Sequence, residues 1–256
     1  MKMRVLGCSG GISLGFHTSS YLLDESILID AGTGVSQLTH DEMQKIDHIF
    51  VSHPHMDHIA CLPLLLDTTI TNRQTPVTLW GTLSTIDALK NHIFNNIIWP
   101  DFSIIPSVDA PFMKFRVIEH FERIEMFSGA LTVIPMNHTV PTVGFLLQSK
   151  NKGQHFMLCG DTSVQEDFWT YINQIDHLKG LAIETAFSDA ETRLADLSKH
   201  LSPSRLVDEL AKLKPNVPVY VMHLKPGQTE IIIRELILHK STHQISLLFN
   251  NQVFEF

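Results

Sequence analysis

The chain is poor in the residues that build several common classes of protein. Its three cysteines, Cys8, Cys61 and Cys159, stand far apart and none lies in a CxxC pair. This spacing argues against a disulfide framework or a structural zinc knuckle and favours a reducing cytoplasm. The densest apolar run, residues 59–66, is too short to cross a bilayer. The N-terminal apolar stretch is short and interrupted by glycines, which is atypical of a signal peptide. We therefore expect a cytoplasmic protein without a membrane segment.

Basic residues are also scarce. Lysine and arginine number 19 against 27 aspartates and glutamates, which gives a net charge of −8 with histidine neutral. Nucleic-acid-binding proteins usually carry a basic surface, so attraction to RNA, DNA or an anionic membrane is not expected, and a small-molecule partner is favoured. The 256 residues contain no linker, repeat or low-complexity tract. We expect one domain over residues 1–256.

Short apolar strands fill the first half of the chain, and strands alternate with helices in the second half. We predict a buried strand at 47–52, a helical stretch at 57–69 and a helix at 202–214. The last two strands, 245–249 and 252–256, are predicted to form a pair. This order favours an α/β domain of two sheets with helices outside.

Histidine is unusually frequent, with fifteen in the chain. His53, His55, Asp57 and His58 fall within six residues at the carboxyl end of the predicted strand 47–52. Imidazole and carboxylate are the ligands of zinc, iron and manganese. The H-x-H spacing places two rings on the same side of an extended backbone, whereas the Asp-His pair enters the next turn at another angle. The motif thus favours two adjacent metals over a surface histidine patch or a capping turn.

Three later strands end in residues of the same chemical type. His138, Asp161 and His223 each follow a predicted apolar strand. Taken singly, each of them has an ordinary interpretation as a loop residue or a helix cap. Because the same pattern, an apolar strand followed by a residue of metal-ligand type, recurs at all three places, they are candidates for the same metal centre.

These motifs, together with the turns LGCSGG and VMHLKPG, resemble the metallo-β-lactamase superfamily over nearly the whole chain. The resemblance implies a four-layer αβ/βα sandwich with the metals at one edge of the two sheets. It also implies seven ligands in three roles: His53, His55 and His138 on one metal, Asp57, His58 and His223 on the other, and Asp161 bridging them. Two divalent ions are expected, zinc foremost, with manganese or iron as alternatives.

Two further motifs resemble the phosphodiesterase branch of that superfamily, which includes tRNase Z. Glu184 ends a predicted strand in IETAF, and His200 lies in KHLSP. In that branch, a Glu and a His in matching places sit behind and above the metals, and the His is thought to protonate the leaving oxygen. The alternative interpretations are that His200 is a surface loop residue and that Ser202 and Pro203 simply begin a helix.

The HLSP string and the early GxxGG turn resemble class II cyclic-nucleotide phosphodiesterases. The resemblance implies hydrolysis of 3′,5′-cyclic nucleotides to 5′-monophosphates. The chain departs from that class at Met56, where Leu is usual, and at Cys61, where a small residue is usual. Residues 62–63 and 138–141 look more like tRNase Z.

The segment between two of the candidate ligands argues against tRNA processing. Asp161 stands only 23 positions after His138, which leaves no room for the substrate-gripping arm of tRNase Z. An RNA phosphodiesterase and a non-catalytic metal-binding module stay open as alternatives. A homodimer is also open, because relatives commonly dimerise, although the sequence has no interface signature.

The chemistry of a dinuclear centre suits a phosphodiester. Two close metals can share a hydroxide and lower the pKa of water toward neutrality. A ribose hydroxyl is a poor leaving group, so a general acid is needed, and His200 is the candidate. Glu184 would orient His200 or favour its protonated form. Asp57 is expected to be a catalytic residue as well as a metal ligand.

Two other sets of residues are candidates for shaping the site. Glycines of the first loop would let it approach the metals or would form a plain turn: Gly10, Gly11 and Gly15. Aromatic residues that would stack a nucleotide base, or belong to the core, are Phe16, Trp99, Phe102 and Phe187.

Overall fold

The computed structural model describes residues 1–256, apart from the side chain of Asn72. The strands are Lys2–Gly7 (β1), Ser20–Leu23 (β2), Ile27–Ile29 (β3), His48–Phe50 (β4), Val77–Gly81 (β5), Met113–Val117 (β6), Arg123–Met126 (β7), Gly129–Met136 (β8), Thr142–Ser149 (β9), His155–Leu158 (β10), Leu178–Glu184 (β11), Val219–Met222 (β12), Ile245–Leu247 (β13) and Val253–Glu255 (β14). The α-helices are His40–Gln44 (α1), Met56–Ile59 (α2), Leu62–Thr69 (α3), Leu83–His92 (α4), Asp167–Ile172 (α5), Thr192–Ser198 (α6), Pro203–Leu210 (α7) and Thr229–His239 (α8).

The strands form two seven-stranded sheets that repeat one arrangement. The first has the order β14-β1-β2-β3-β4-β5-β6 and the second the order β13-β12-β11-β10-β9-β8-β7. In the first sheet, β3 to β6 run parallel and the remaining pairs are antiparallel. In the second sheet, β10 to β13 run parallel and the pairs from β7 to β10 are antiparallel. Both sheets are therefore mixed.

Apolar side chains fill the space between the sheets and the space outside them. One core cluster joins first-sheet residues such as Val5 and Phe50 to second-sheet residues such as Leu131 and Phe145, and it includes Leu206 of α7. A second cluster joins the outer face of the first sheet to α3 and α4. Helices thus cover two packed sheets, which confirms the predicted α/β domain and the αβ/βα sandwich that the family resemblance implied.

The direction of the strands decides where their carboxyl ends lie. Strands β8 and β10 are both antiparallel to β9, and β10 is parallel to β11 and β12. These four strands therefore all end at one edge of the second sheet. Strands β3 and β4 are parallel and likewise end together in the first sheet. Every predicted ligand follows β4, β8, β10 or β12.

The predicted pairing of the last two strands is wrong. Strand β13 adds to the edge of the second sheet beside β12, whereas β14 adds to the first sheet beside β1. The chain end therefore crosses from one sheet to the other. Each strand finds an open sheet edge, and these long-range partners outcompete the local pair.

The start of α7 differs in detail from the sequence expectation. Ser202 occupies the N-cap position and Pro203 begins the helix, yet the Ser202 side chain accepts no backbone N–H. Instead, the Ser204 amide donates to Asp189 Oδ1 at 2.8 Å. A carboxylate from a distant segment thus satisfies this first-turn amide.

Among the helices of the described residues, none is both long enough and apolar enough to cross a membrane. The thiols of Cys8, Cys61 and Cys159 are free.

Candidate metal centre

Three histidines form the first group of the centre. His53 and His55 follow β4, and His138 follows β8. The Nδ1 atom of His55 lies 3.1 Å from His53 Nε2 and 3.2 Å from His138 Nε2. A hydrogen can lie between only two of these three nitrogens. A cation bound by all three would explain why they lie so close together. This is the set predicted for one metal.

Three more residues form the second group around the same loop. Asp57 and His58 lie in α2, and His223 follows β12. Asp57 Oδ2 stands 3.9 Å from His58 Nε2 and 3.6 Å from His223 Nε2. This is the set predicted for the other metal.

Asp161 lies between the two groups. Its Oδ2 faces His53 Nε2 at 3.7 Å and His138 Nε2 at 4.0 Å. Its Oδ1 faces His58 Nε2 at 3.4 Å and His223 Nδ1 at 3.3 Å. Thus Oδ2 faces the first group and Oδ1 faces the second.

The electrostatics of Asp161, His53 and His223 match the geometry of a metal centre. Burial disfavours a charged Asp161, but His223 and His58 overcome this and hold the pKa of its carboxyl well below the usual range. Burial lowers the pKa of His53 well below its ordinary value and that of His223 to about 4. Neutral imidazole and ionised carboxylate are the forms that bind metal. At His58, burial opposes the charged ring, but the charges of Asp161 and Asp30 prevail and raise its pKa well above the ordinary value.

The buried nitrogens of the second group support a metal there. His58 Nε2 and both ring nitrogens of His223 are buried and have no hydrogen-bond partner among the described side chains and backbone. Buried polar atoms in proteins are nearly always paired, and leaving one unpaired costs about 1–3 kcal/mol. These nitrogens face carboxylate oxygens of Asp57 and Asp161 at 3.3–3.9 Å, an arrangement that suits a cation held between them. The residues present therefore fit divalent metals.

Glu184 and His200 stand beside the metal ligands. His200 Nδ1 donates to Glu184 Oε1 at 2.7 Å, and the same oxygen accepts from the Thr162 amide at 2.8 Å. The His200 ring lies against the rings of His138 and His223, with centroids 4.9 and 5.3 Å away. Burial opposes protonation of His200, but the charge of Glu184 prevails and raises the pKa of His200 above its ordinary value. A protonated His200 beside the centre suits a proton donor.

Sequence reasoning missed Asp30. It follows β3, is 3% exposed, and its Oδ2 accepts from His58 Nδ1 at 2.7 Å. It also accepts from the Ser52 amide and hydroxyl at 2.7 and 2.8 Å. The signal was present, since Asp30 ends a short apolar strand just as the predicted ligands do. Its contact fixes the hydrogen of His58 on Nδ1 and leaves Nε2 free for a metal.

We expect Asp30→Asn to weaken metal binding without removing a ligand. The amide cannot accept from the Ser52 groups and His58 as a carboxylate does, so the His58 ring loses its fixed orientation. Losses from such supporting contacts are typically about 10–100-fold in metal affinity. Competition with a zinc chelator measures this affinity. The exposed Asp41→Asn is the control, and unchanged zinc affinity in Asp30→Asn would contradict the role of Asp30.

A backbone carbonyl orients a second ligand. His138 Nδ1 donates to the Lys199 carbonyl oxygen at 2.9 Å, and Lys199 Nζ donates to the His138 carbonyl oxygen at 3.1 Å. The residue before His200 thus also holds His138, with its Nε2 toward the centre. A backbone acceptor leaves no signal in a sequence.

The glycines of the first loop divide into two cases. A Cβ on Gly10 would lie 2.3 Å from the His223 carbonyl oxygen, so this position needs glycine for close approach to a predicted ligand. Gly15 has φ +80 and open surroundings, which makes it a turn residue. The expectation of close approach therefore holds at Gly10.

The four aromatic candidates lie in different places. Phe102 is 1% exposed, and Trp99 packs with it in the core outside the first sheet. Phe16 lines a cavity of about 410 Å³ with residues that include Cys8 and Phe249. Phe187 packs against the His200 ring, with centroids 5.8 Å apart.

Comparison with known proteins identifies the family of this chain. The sequence pattern of the class-II cAMP phosphodiesterases matches residues 32–240. The 3′,5′-cyclic-nucleotide phosphodiesterase 1 of Saccharomyces cerevisiae is 26% identical over 68% of this chain. That alignment spans 53% of the yeast protein, about half its length. A probable 3′,5′-cyclic-nucleotide phosphodiesterase of Yersinia pestis is 26% identical over 93% of this chain and 82% of its own.

Solved structures show the same fold. Unliganded yeast PDE1 superposes with a TM-score of 0.83 at 20% identity, over 98% of both chains. The metallo-β-lactamase fold protein YhfI of Bacillus subtilis gives 0.78 at 17% identity, over 99% of both. The short form of human tRNase Z gives 0.70 at 18% identity, over 100% of this chain and 99% of that one.

Proposed function

This chain belongs to the class-II cAMP phosphodiesterase family, and we propose that it hydrolyses 3′,5′-cyclic nucleotides to 5′-monophosphates with two divalent metal ions. Zinc is the first choice of metal, with manganese or iron as alternatives. The yeast and Yersinia relatives carry names for this activity on cyclic nucleotides. We further propose that residues 1–256 form one domain and act on a small molecule in the cytoplasm.

The position of Asp161 carries the proposal. Its two carboxylate oxygens face two separate groups of histidines, as a bridge between two metals requires. We assign His53, His55 and His138 to one metal and Asp57, His58 and His223 to the other. Mixed imidazole and carboxylate ligands, with partly exposed Asp57 at one side, suit a catalytic rather than a closed structural site.

Bound metals would supply an activated water near neutral pH and would offset the negative charge of the phosphate. The residues of the chain perform the other tasks. Asp57, Asp161 and the five histidines of the proposed assignment would hold the two metals. His200, protonated beside the centre, gives its proton to the departing ribose oxygen. Glu184 accepts the Nδ1 hydrogen of His200 and thereby leaves the opposite nitrogen free to face the substrate.

The segment between His138 and Asp161 favours a small substrate over RNA. It consists of β9 and β10 with short connections, and thus lacks room for an arm like that of tRNase Z. The net charge of −8 also opposes the approach of a polyanion.

Initial rates on four substrates test the function. Protein loaded with zinc or manganese is assayed with cAMP, cGMP, bis-p-nitrophenyl phosphate and a tRNA precursor. We expect a cyclic nucleotide to be hydrolysed well above the aryl diester, with no cleavage of the RNA. Cleavage of the tRNA precursor alone would favour RNA processing. If metal-loaded protein hydrolyses none of the four substrates, the alternative of a non-catalytic metal-binding module is favoured.

A further inference from the structure

We propose that Phe187 and Lys225 form a subsite for the base of the substrate and that Lys225 makes this subsite prefer guanine to adenine. The subsite rests on the proposed function, because it places a cyclic nucleotide with its phosphate at the metal centre.

Phe187 is the aromatic residue beside the proposed proton donor. Its ring meets the His200 ring edge-on, at an interplanar angle of 65° and a centroid distance of 5.8 Å. It lies three residues after Glu184, so the end of β11 positions both the partner of His200 and this ring. The side chain is half-buried and not enclosed in the core.

Lys225 reaches the same ring from another segment. Its Nζ lies 5.9 Å from the Phe187 centroid and donates to the Gly10 carbonyl oxygen at 2.6 Å. Its backbone amide donates to the Ala186 carbonyl oxygen at 3.3 Å, which ties the two segments together. An ammonium has three donors, so donors remain for a ligand after the bond to Gly10.

The chemistry of the substrate connects this pair to the base. The oxygen that His200 would protonate belongs to the ribose, so the ribose and its base lie on the His200 side of the phosphate. A ring in contact with His200 is then within reach of the base. Stacking a base on an aromatic side chain typically changes affinity by about 5- to 150-fold.

The ammonium distinguishes the two purines. Guanine presents two neighbouring acceptors, N7 and O6, whereas adenine presents the N7 acceptor beside an amino donor. Lys225 therefore matches guanine at both positions and adenine at one. We expect cGMP to be the better substrate.

The variant Phe187→Leu tests the stacking. With metal-loaded enzyme, we expect KM for cAMP and cGMP to rise about tenfold, with kcat little changed. The abasic ribose 3′,5′-cyclic phosphate, which has the same leaving group and no base, should be hydrolysed as by the wild type. Phe187→Tyr keeps the ring and should behave as the wild type. Phe127→Leu, at a side chain 98% exposed, is the matched control.

Two outcomes separate the subsite from the function. If the wild type hydrolyses cyclic nucleotides but Phe187→Leu affects abasic and base-bearing substrates equally, the subsite is wrong and the function stands. If the wild type hydrolyses no cyclic nucleotide, both are wrong. The dissociation constant of 5′-GMP, measured by calorimetry, should rise with KM and gives a readout that needs no turnover.

The variant Lys225→Met tests base preference. It keeps the apolar stem and removes every donor, so the ratio of kcat/KM for cGMP to that for cAMP should fall by about fivefold or more, the discrimination of a good paired contact. A purely structural role for Lys225 in holding Gly10 would lower both values together and leave the ratio unchanged. That result would overturn the assignment of Lys225.

Discussion

Replacing Asp161 by alanine is expected to empty both metal positions and to lower phosphodiester hydrolysis by at least about 10³-fold. Metals contribute several kcal/mol of transition-state stabilisation, and each 1.36 kcal/mol is a factor of ten. Among the side chains that the structure describes, no other faces both groups with separate oxygens, so no other single change is expected to cost as much. Its neighbours His53, His58 and His223 are all buried, and each would lose the carboxylate oxygen that faces it.

Metal content per chain, measured by atomic emission after dialysis, tests this expectation together with the hydrolysis rate. Asp161→Asn separates charge from size, because it keeps the shape of the side chain and weakens its binding of cations. Asp41→Ala is the matched control, since the Asp41 side chain is 98% exposed. An Asp161→Ala protein that keeps two metals and its activity would show that the ligand assignment is wrong.

Replacing His200 by alanine is expected to keep both metals and still lower kcat on cyclic nucleotides by about 10²–10⁴-fold, the usual range for a proton donor. The ring faces His138 and His223 without being needed to hold a metal in the proposed assignment. Its hydrogen bond to Glu184 favours the protonated ring. The loss should therefore fall on the step in which the ribose oxygen departs.

The leaving group distinguishes a proton donor from a structural residue. p-Nitrophenolate departs without a proton, so His200→Ala should reduce hydrolysis of bis-p-nitrophenyl phosphate far less than hydrolysis of cAMP. Glu184→Gln should produce an intermediate loss on cAMP, because it keeps an acceptor for His200 and removes the charge. The exposed His120→Ala serves as control. Equal losses on both substrates would assign His200 a structural role.

The sequence pattern predicted two sheets with helices outside, and the family resemblance implied the sandwich. All seven ligand candidates could be found from the sequence because the signal for them is local. Each candidate lies after an apolar strand, with Asp57 and His58 in the short helix α2 that follows β4. The carboxyl ends of strands that run the same way meet at one edge of a sheet. The predicted helical stretch 57–69 is two helices, α2 and α3, and Pro63 lies in the first turn of α3. Metal and catalytic roles for these residues stay predictions until they are measured.

Contacts between distant segments were not predictable in the same way. Asp30 acts through His58, 28 positions away, and Asp189 satisfies the start of α7 from another loop. The pairing of the last two strands depended on two open sheet edges that no short window of sequence reveals. Short helices such as α5 and α6 were missed because few residues carry their periodicity.

Aromatic residues show the same limit. Phe102 and Phe187 are the same residue type in ordinary sequence surroundings, yet Phe102 is buried among core side chains and Phe187 contacts His200. Their different roles come from packing, which follows only from the assembled sheets. The pattern of histidines and aspartates was more informative because metal ligands restrict both residue type and spacing.

The number of metals that activity requires is the most direct test of the account. Metal-free protein is titrated with zinc while the rate of cAMP conversion to 5′-AMP is followed. A centre bridged by Asp161 predicts a rate that saturates at two equivalents of zinc per chain. Saturation at one equivalent, or turnover that does not depend on added metal, would contradict the dinuclear centre.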